Sequence, residues 1–203
     1  MRSGRSVLSM VAIAIVAGLG WSAVAAAQVE FKLTASDAAA FDSFGKAVSI
    51  DGDYAIVGAY FDDDDGSNSG SAYIFLRSGT SWTEQDKLTA DDAAASDNFG
   101  ISVSIDGDYA IVGAQGNDSG SAYIFVRSGT TWTEQAKLTA SDGAASDFFG
   151  GSVYIDGDYA IVGAHGDDDA GSNSGSAYIF VRSGTTWTEQ DKLTADDAAA
   201  SDN

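Results

Sequence analysis

Phe99-Gly100-Ile101-Ser102-Val103-Ser104-Ile105-Asp106-Gly107-Asp108-Tyr109-Ala110-Ile111-Val112-Gly113-Ala114 decides the fold, because the chain writes this stretch three times almost letter for letter. The other copies run from Phe44 to Ala59 and from Phe149 to Ala164. A fixed period of this length marks a stacked or closed repeat architecture, in which each unit buries its apolar faces on its neighbours. Phe44 to Phe99 is 55 residues and Phe99 to Phe149 is 50. The difference sits in one loop: Tyr60 to Gly70 and His165 to Gly175 have eleven residues each, where Gln115 to Gly120 has six. Length variation confined to one place in the unit is expected of loops on one rim.

Within the middle copy, Ile101 to Ile105 reads as a short strand. Asp106-Gly107 reads as a two-residue type I′ turn, since both residues tolerate positive φ. Asp108 to Ala114 is the returning strand and Gln115 to Gly120 a polar loop. Ser121 to Arg127 is a third strand, Ser128-Gly129-Thr130 a turn, and Thr131 to Thr139 a fourth strand. Tyr109 to Ala114 and Ala122 to Val126 are apolar or small on both faces, so both faces must be covered. The fourth strand is half wet, with Trp132 and Leu138 on one face and Thr133, Gln135 and Lys137 on the other. The predicted class is all-β: about three four-stranded antiparallel β-propeller blades, a fragment of a larger propeller. A β-solenoid is the alternative, but its coils are usually shorter and lack hairpin turns such as Asp106-Gly107.

Residues 1–27 have the layout of a secretory signal peptide. Arg2 and Arg5 form a basic start, Val7 to Leu19 an apolar run, and Ala25-Ala26-Ala27 a small-residue cleavage site before Gln28. The apolar run is too short for a membrane anchor. The expected location is therefore secreted or cell-envelope, with no membrane insertion after cleavage. The chain has no Cys, which excludes a disulfide framework and a lipid-modified N-terminal Cys. Losing Arg2 and Arg5 leaves 8 of the 10 basic residues against 30 acidic ones, a net charge of −22. That charge excludes nucleic acid and anionic membrane surfaces as partners and favours cations or basic partners.

Phe-Gly followed about a dozen residues later by Val-Gly-Ala resembles the FG-GAP repeat signature. Lys87-Leu88-Thr89-Ala90, Phe99-Gly100, Val112-Gly113-Ala114, Gly120-Ser121-Ala122-Tyr123-Ile124-Phe125 and Trp132 match the exported bacterial form of that family in order. On this resemblance residues 28–203 form one repeat region, with units at about 34–88, 89–138 and 139–193 and the start of a fourth at 194–203. Related repeats build the ligand-binding propellers of integrin α chains, usually with seven blades. The resemblance implies an extracellular, adhesion-like binding module whose ligand is an unknown protein or a surface glycan. Fold alone does not carry function. Two departures stand out. The chain has no Pro to close the family's Gly-Ala-Pro. The place of the integrin-type calcium loop holds only Ile-Asp-Gly-Asp, and a two-residue hairpin cannot wrap an ion that takes six to eight oxygens. Those Asp residues read as turn formers.

The candidate metal ligands, with calcium the candidate ion, are Asp62 and Asp64 in Asp62-Asp63-Asp64-Asp65-Gly66, and Asp167 and Asp169 in Asp167-Asp168-Asp169-Ala170-Gly171. Alternate carboxylates can converge on one hard cation while the Gly permits the bend. The middle copy, with Gln115-Gly116-Asn117-Asp118, lacks the pattern, so the fold does not need it. The Asp residues before each Phe-Gly (Asp37 and Asp42; Asp91, Asp92 and Asp97; Asp142 and Asp147) read as turn formers. Tyr73 and Phe75, Tyr123 and Phe125, and Tyr178 and Phe180 read as inter-blade core. His165 is the lone His and no Ser lies in a nucleophile-elbow context, so no catalytic residue is assigned and no enzyme is expected. Two readings stay open beside the binding module: the propeller part of a secreted enzyme with its catalytic residues outside this sequence, and a purely structural envelope repeat. Ala195 to Asn203 matches the residues leading into Phe99-Gly100, and Val29 to Leu33 resembles the last strand of a blade. Three blades cannot close a ring, so additional blades or a second chain are expected to complete it.

Overall fold

The computed structural model describes residues 30–169 and 171–196; the signal-peptide reading and the last seven residues of the partial fourth repeat fall outside them. The first unit holds β1 (Val48–Asp51), β2 (Tyr54–Ala59), β3 (Ser71–Ser78) and β4 (Ser81–Leu88). The second holds β5 (Ser102–Asp106), β6 (Tyr109–Ala114), β7 (Ser121–Ser128) and β8 (Thr131–Leu138). The third holds β9 (Phe149–Asp156), β10 (Tyr159–Ala164), β11 (Ser176–Ser183) and β12 (Thr186–Leu193). Each unit is a four-stranded antiparallel meander in chain order. The first strands of successive sheets lie against one another while the last strands touch little, so the sheets fan out as blades. The described part of Val29 to Leu33 forms no strand.

Each blade uses its two faces differently. One carries small and branched residues, such as Ile56, Ala72, Ile74 and Leu88. The next blade's aromatic face, with Phe99, Tyr123, Phe125 and Trp132, packs onto it. The second seam repeats this with Ile111, Ala122, Ile124 and Leu138 against Phe149, Tyr178, Phe180 and Trp187. The Tyr and Phe pairs thus lie in the core, as the alternation predicts.

The Phe-Gly and Val-Gly-Ala motifs are two halves of one latch. Phe99 is fully buried, and its N–H donates to the Ser69 carbonyl of the preceding blade at 2.9 Å. The Gly100 carbonyl lies so close to Gly58 that a Cβ there would be 1.9 Å from the oxygen. Gly100 itself has φ +89°, a conformation that favours glycine. The second seam puts Phe149, Gly150 and Gly113 in the same relation.

Two details depart from the sequence reading. Asp106 ends β5 and pairs with Tyr109, so the turn residues are Gly107 and Asp108. Only Gly107 has positive φ, at 56°. Gly at the first central position is the type II′ pattern, so the expected I′ turn is corrected. Second, Trp132 and Leu138 lie on opposite faces. Phe125 pairs with Glu134 but Ile124 pairs with Ala136, leaving Gln135 as a bulge that inverts the alternation. Trp132 therefore enters the first seam and Leu138 the second, and Lys137 joins Tyr123 on the aromatic face. Gln85 and Gln190 bulge alike in the other blades.

At the two ends of the stack the faces lack a partner blade among the described residues. Val48 and Ile50 are exposed on the first blade, where Val103 and Ile105 are buried in the second. On the third blade Tyr154 is 60 % exposed, at the position that Ser49 and Ser104 hold in the other two.

Candidate metal centre and its lysine

The β2–β3 loop of the first blade folds back on itself. The Asp62 N–H donates to the Ala59 carbonyl at 3.1 Å, and the Gly70 N–H donates to the Asp62 carbonyl at 2.9 Å. The Asp62 side chain accepts the Asp64 N–H at 3.1 Å, and Asp63 accepts the Asn68 N–H at 2.7 Å. This turn buries the Asp62 carboxylate and aims it, with Asp64, towards the outer strand. There the expected pair meets a third carboxylate, Asp37 from the linker, with oxygens of all three within 4.8 Å of one another. The third blade assembles Asp142, Asp167 and Asp169 in the same way.

Each triad surrounds a lysine. Lys87 Nζ lies 2.7 Å from Asp37, 3.3 Å from Asp62 and 2.5 Å from Asp64. Lys192 Nζ lies 2.7 Å from Asp142, 2.9 Å from Asp167 and 2.5 Å from Asp169. The buried tyrosine opposite supplies a hydroxyl: Tyr73 OH is 2.9 Å from Asp37 and 3.0 Å from Asp62, sharing its proton between them. Tyr178 OH stands 2.9 Å from both Asp142 and Asp167. The Gln85 and Gln190 bulges create this arrangement, since without them Lys87 and Lys192 would point to the opposite face from Tyr73 and Tyr178.

The charges respond accordingly. Burial raises the pKa of Asp37, but hydrogen bonds from Lys87 and Tyr73 outweigh it and hold the group below its ordinary value. Asp167 shows the same balance, with Lys192 the main opposing partner. Asp142 is lowered chiefly by its hydrogen bond from Lys192. Burial works against the charge on Lys87, yet Asp37 and Asp64 carry it well above the ordinary lysine range. Lys192 is raised likewise, against burial, by Asp142, Asp169 and Asp167. Desolvation, followed by the neighbouring carboxylates, pushes Tyr73 and Tyr178 well above the usual phenol range, so both remain donors.

The sequence reading brings Asp62 with Asp64, and Asp167 with Asp169, and the structure does the same. It misses both lysines, and it assigns Asp37 and Asp142 to turns, where the structure places them in the triads. The signal was available in the strict spacing: Lys87 follows Asp37 by 50 residues, as Lys192 follows Asp142. Asp42, Asp97 and Asp147 do shape turns, accepting the N–H groups of Ala39, Ala94 and Ala144. Asp51 and Asp106 do more than form turns, because each accepts the turn-glycine N–H of the next blade, at 2.9 Å for Gly107 and 2.7 Å for Gly157. His165 stacks on Phe148 with centroids 5.0 Å apart.

A hard cation would find donors of the right kind here. Three carboxylates offer up to about six oxygens, at the lower end of what calcium takes. The ammonium already stands within contact of all three, so a metal enters only as the lysine swings out.

A model of the FG-GAP repeat matches residues 28–75, 82–125 and 132–180, well over half of the chain. The chain belongs to the FG-GAP repeat family. FG-GAP repeats form β-propellers, and the three sheets are three such blades. Among solved structures the chain is similar to the crystal structure of Saccharomyces cerevisiae Sqt1, with a TM-score of 0.50 and 12 % identity over 78 % of this chain. It spans 38 % of the length of that chain, and at this identity the likeness concerns the fold alone. Comparison with curated proteins gives no match. Among the described residues of this FG-GAP chain, no helix is long and apolar enough to cross a membrane.

Proposed function

We propose that these FG-GAP repeats form an exported, extracellular or envelope-located interaction module. It binds a protein or a surface glycan in an adhesion-like role and performs no catalysis. One observation carries the reading: the seams are locked by main-chain contacts at Gly58, Gly100, Gly113 and Gly150, while length and charge vary in the β2–β3, β6–β7 and β10–β11 loops on one rim. A rigid scaffold with variable loops on one rim is the usual layout of a recognition surface. FG-GAP repeats are typically extracellular, and the strongly acidic chain favours basic partners or cations. Additional blades or a second chain complete the ring on this reading.

Calcium has a defined place in the same proposal. Asp37, Asp62 and Asp64 would hold one ion and Asp142, Asp167 and Asp169 another, supplying charge that ties the rim loop to the linker once the lysine has left. The test has two arms. The labelled chain is applied to glycan and basic-peptide arrays beside a variant whose two eleven-residue loops are replaced by Gln115 to Gly120. Binding that disappears in the short-loop variant supports the module; binding that is absent or loop-independent overturns it. Calcium is titrated by calorimetry into the chain and into Lys87→Met. Saturable binding that tightens in Lys87→Met supports the metal reading, and no heat from either protein at millimolar calcium rejects it.

A further inference from the structure

The middle blade keeps the tyrosine, the lysine and the linker carboxylate of the clusters but lacks their loop carboxylates. Tyr123 OH donates to Asp92 at 2.9 Å, and Lys137 Nζ donates to the other oxygen of Asp92 at 2.6 Å. In the flanking blades the lysine touches three carboxylates and the tyrosine two; here each has only Asp92 among the described residues. The six-residue loop Gln115 to Gly120 does not reach in, and a cavity of about 310 Å³ remains, with Tyr123, Lys137, Asp92, Asn117 and Ser121 in its lining.

We propose that this cavity is a binding site for a small carboxylate, whose oxygens take the positions beside Lys137 Nζ and Tyr123 OH that Asp62 and Asp167 fill on the flanking blades. Two features of the site agree with this assignment. An ammonium has three N–H donors, and Asp92 accounts for one. The flanking clusters also show that a lysine in this setting accommodates carboxylates beyond the linker one despite their mutual repulsion. Both donors stay protonated. Burial above all, reinforced by Asp92 against the opposing effect of Lys137, holds the Tyr123 hydroxyl at about 12. Asp92 raises Lys137 against the effect of burial. Asp97, also in the lining, is engaged elsewhere by the Ala94 N–H and the Asn117 amide. Asp92 and the exposed Asp118 disfavour dianions, so a monocarboxylate is preferred over phosphate.

The site is independent of calcium binding at the other two blades, and its test uses acetate as the probe. Acetate is titrated into the full chain at constant ionic strength while backbone amide NMR shifts are followed, with acetamide and phosphate as controls. The expected result is a saturable, millimolar shift at Tyr123, Ser121 and Lys137 with acetate and none with acetamide. Lys137→Met should weaken binding by about tenfold or more, as loss of one good charge-assisted hydrogen bond implies, and Tyr123→Phe by less, because the single hydroxyl proton is shared with Asp92. Replacing Gln115 to Gly120 by His165 to Gly175 brings the missing carboxylates into the blade and should abolish binding. Shifts that stay linear, that acetamide or phosphate reproduces, or that survive the loop replacement overturn the proposal.

Discussion

Gly113→Ala isolates what the Phe-Gly latch contributes. Gly113 has no positive φ, so an alanine there suits its backbone. The added methyl would meet the Gly150 carbonyl oxygen at 1.9 Å and its carbon at 2.9 Å, where real contacts stop at about 3.0 Å. The oxygen must retreat by about 1.1 Å, the difference between 3.0 and 1.9 Å. The methyl also meets the Ser102 Oγ at 2.3 Å, a side chain that can turn away, but the nearest obstacle is backbone on the next blade, which no rotamer change relieves. Overpacking ordinarily costs about 1–3 kcal/mol. A gap of this size also forfeits a quarter to a half of each dispersion contact it opens. With Phe149 seated beside the latch, that adds about 1 kcal/mol. The expected loss is about 3 kcal/mol, read as a lower urea midpoint and a melting point lower by about 6–12 °C. Gly129→Ala is the control: nothing lies within 4 Å of its Cβ, and only its φ of +65° is penalised, at about 1 kcal/mol. If Gly113→Ala costs no more than Gly129→Ala, the seams are not locked by glycine contacts and the argument fails.

Lys192→Met should destabilise by about 2–3 kcal/mol, because it leaves the nearly buried Asp167 beside Asp142 and Asp169 with no countercharge. Lys137→Met, which abandons only the half-exposed Asp92, should cost clearly less, and thermal melting of the two variants gives the comparison. Acid unfolding follows from the depressed carboxylates. Asp37, Asp92, Asp142 and Asp167 lie below their ordinary value in the folded chain, so their contribution is complete above about pH 5 and is lost as pH falls through the folded values. The raised lysines contribute fully below about pH 10 and lose that contribution only as pH rises through their folded values. Urea midpoints should therefore plateau from about pH 5 to 10, and a midpoint that rises on going below pH 4 contradicts the assignment.

The repeat made the blades legible, since Tyr109 to Ala114 and Ala122 to Val126 can be apolar on both faces only when both are covered. The outer strand was harder. Alternation predicts one face for Trp132 and Leu138, and nothing in Thr131 to Leu138 marks Gln135 as the residue that breaks it. A bulge is set by what must be buried on each side, here an indole towards one seam and a leucine towards the other. The candidate site was half legible for a related reason. Clusters of acid draw attention to Asp62 and Asp167, but a lysine on a strand read as wet looks like a solvated charge. Its role appears only when the bulge is known to turn it towards Tyr73 or Tyr178. The type of the Gly107 turn was misread because Asp-Gly fits two registers, and the Asp106–Tyr109 pair selects the one that leaves Asp106 in the strand.

Several seam bonds recur from one seam to the next, joining equivalent positions of successive copies. The Ile105 N–H reaches Ser49 Oγ at 3.3 Å, and the Ile155 N–H reaches Ser104 Oγ at the same distance. A gene that duplicates such a unit therefore acquires a ready-made interface with it, and can lengthen the array without inventing new contacts. Tyr154 interrupts that economy. Where the first two blades offer a hydroxymethyl group to their successor, the third presents a phenol ring, so a blade seated there must diverge from its siblings to make room for it.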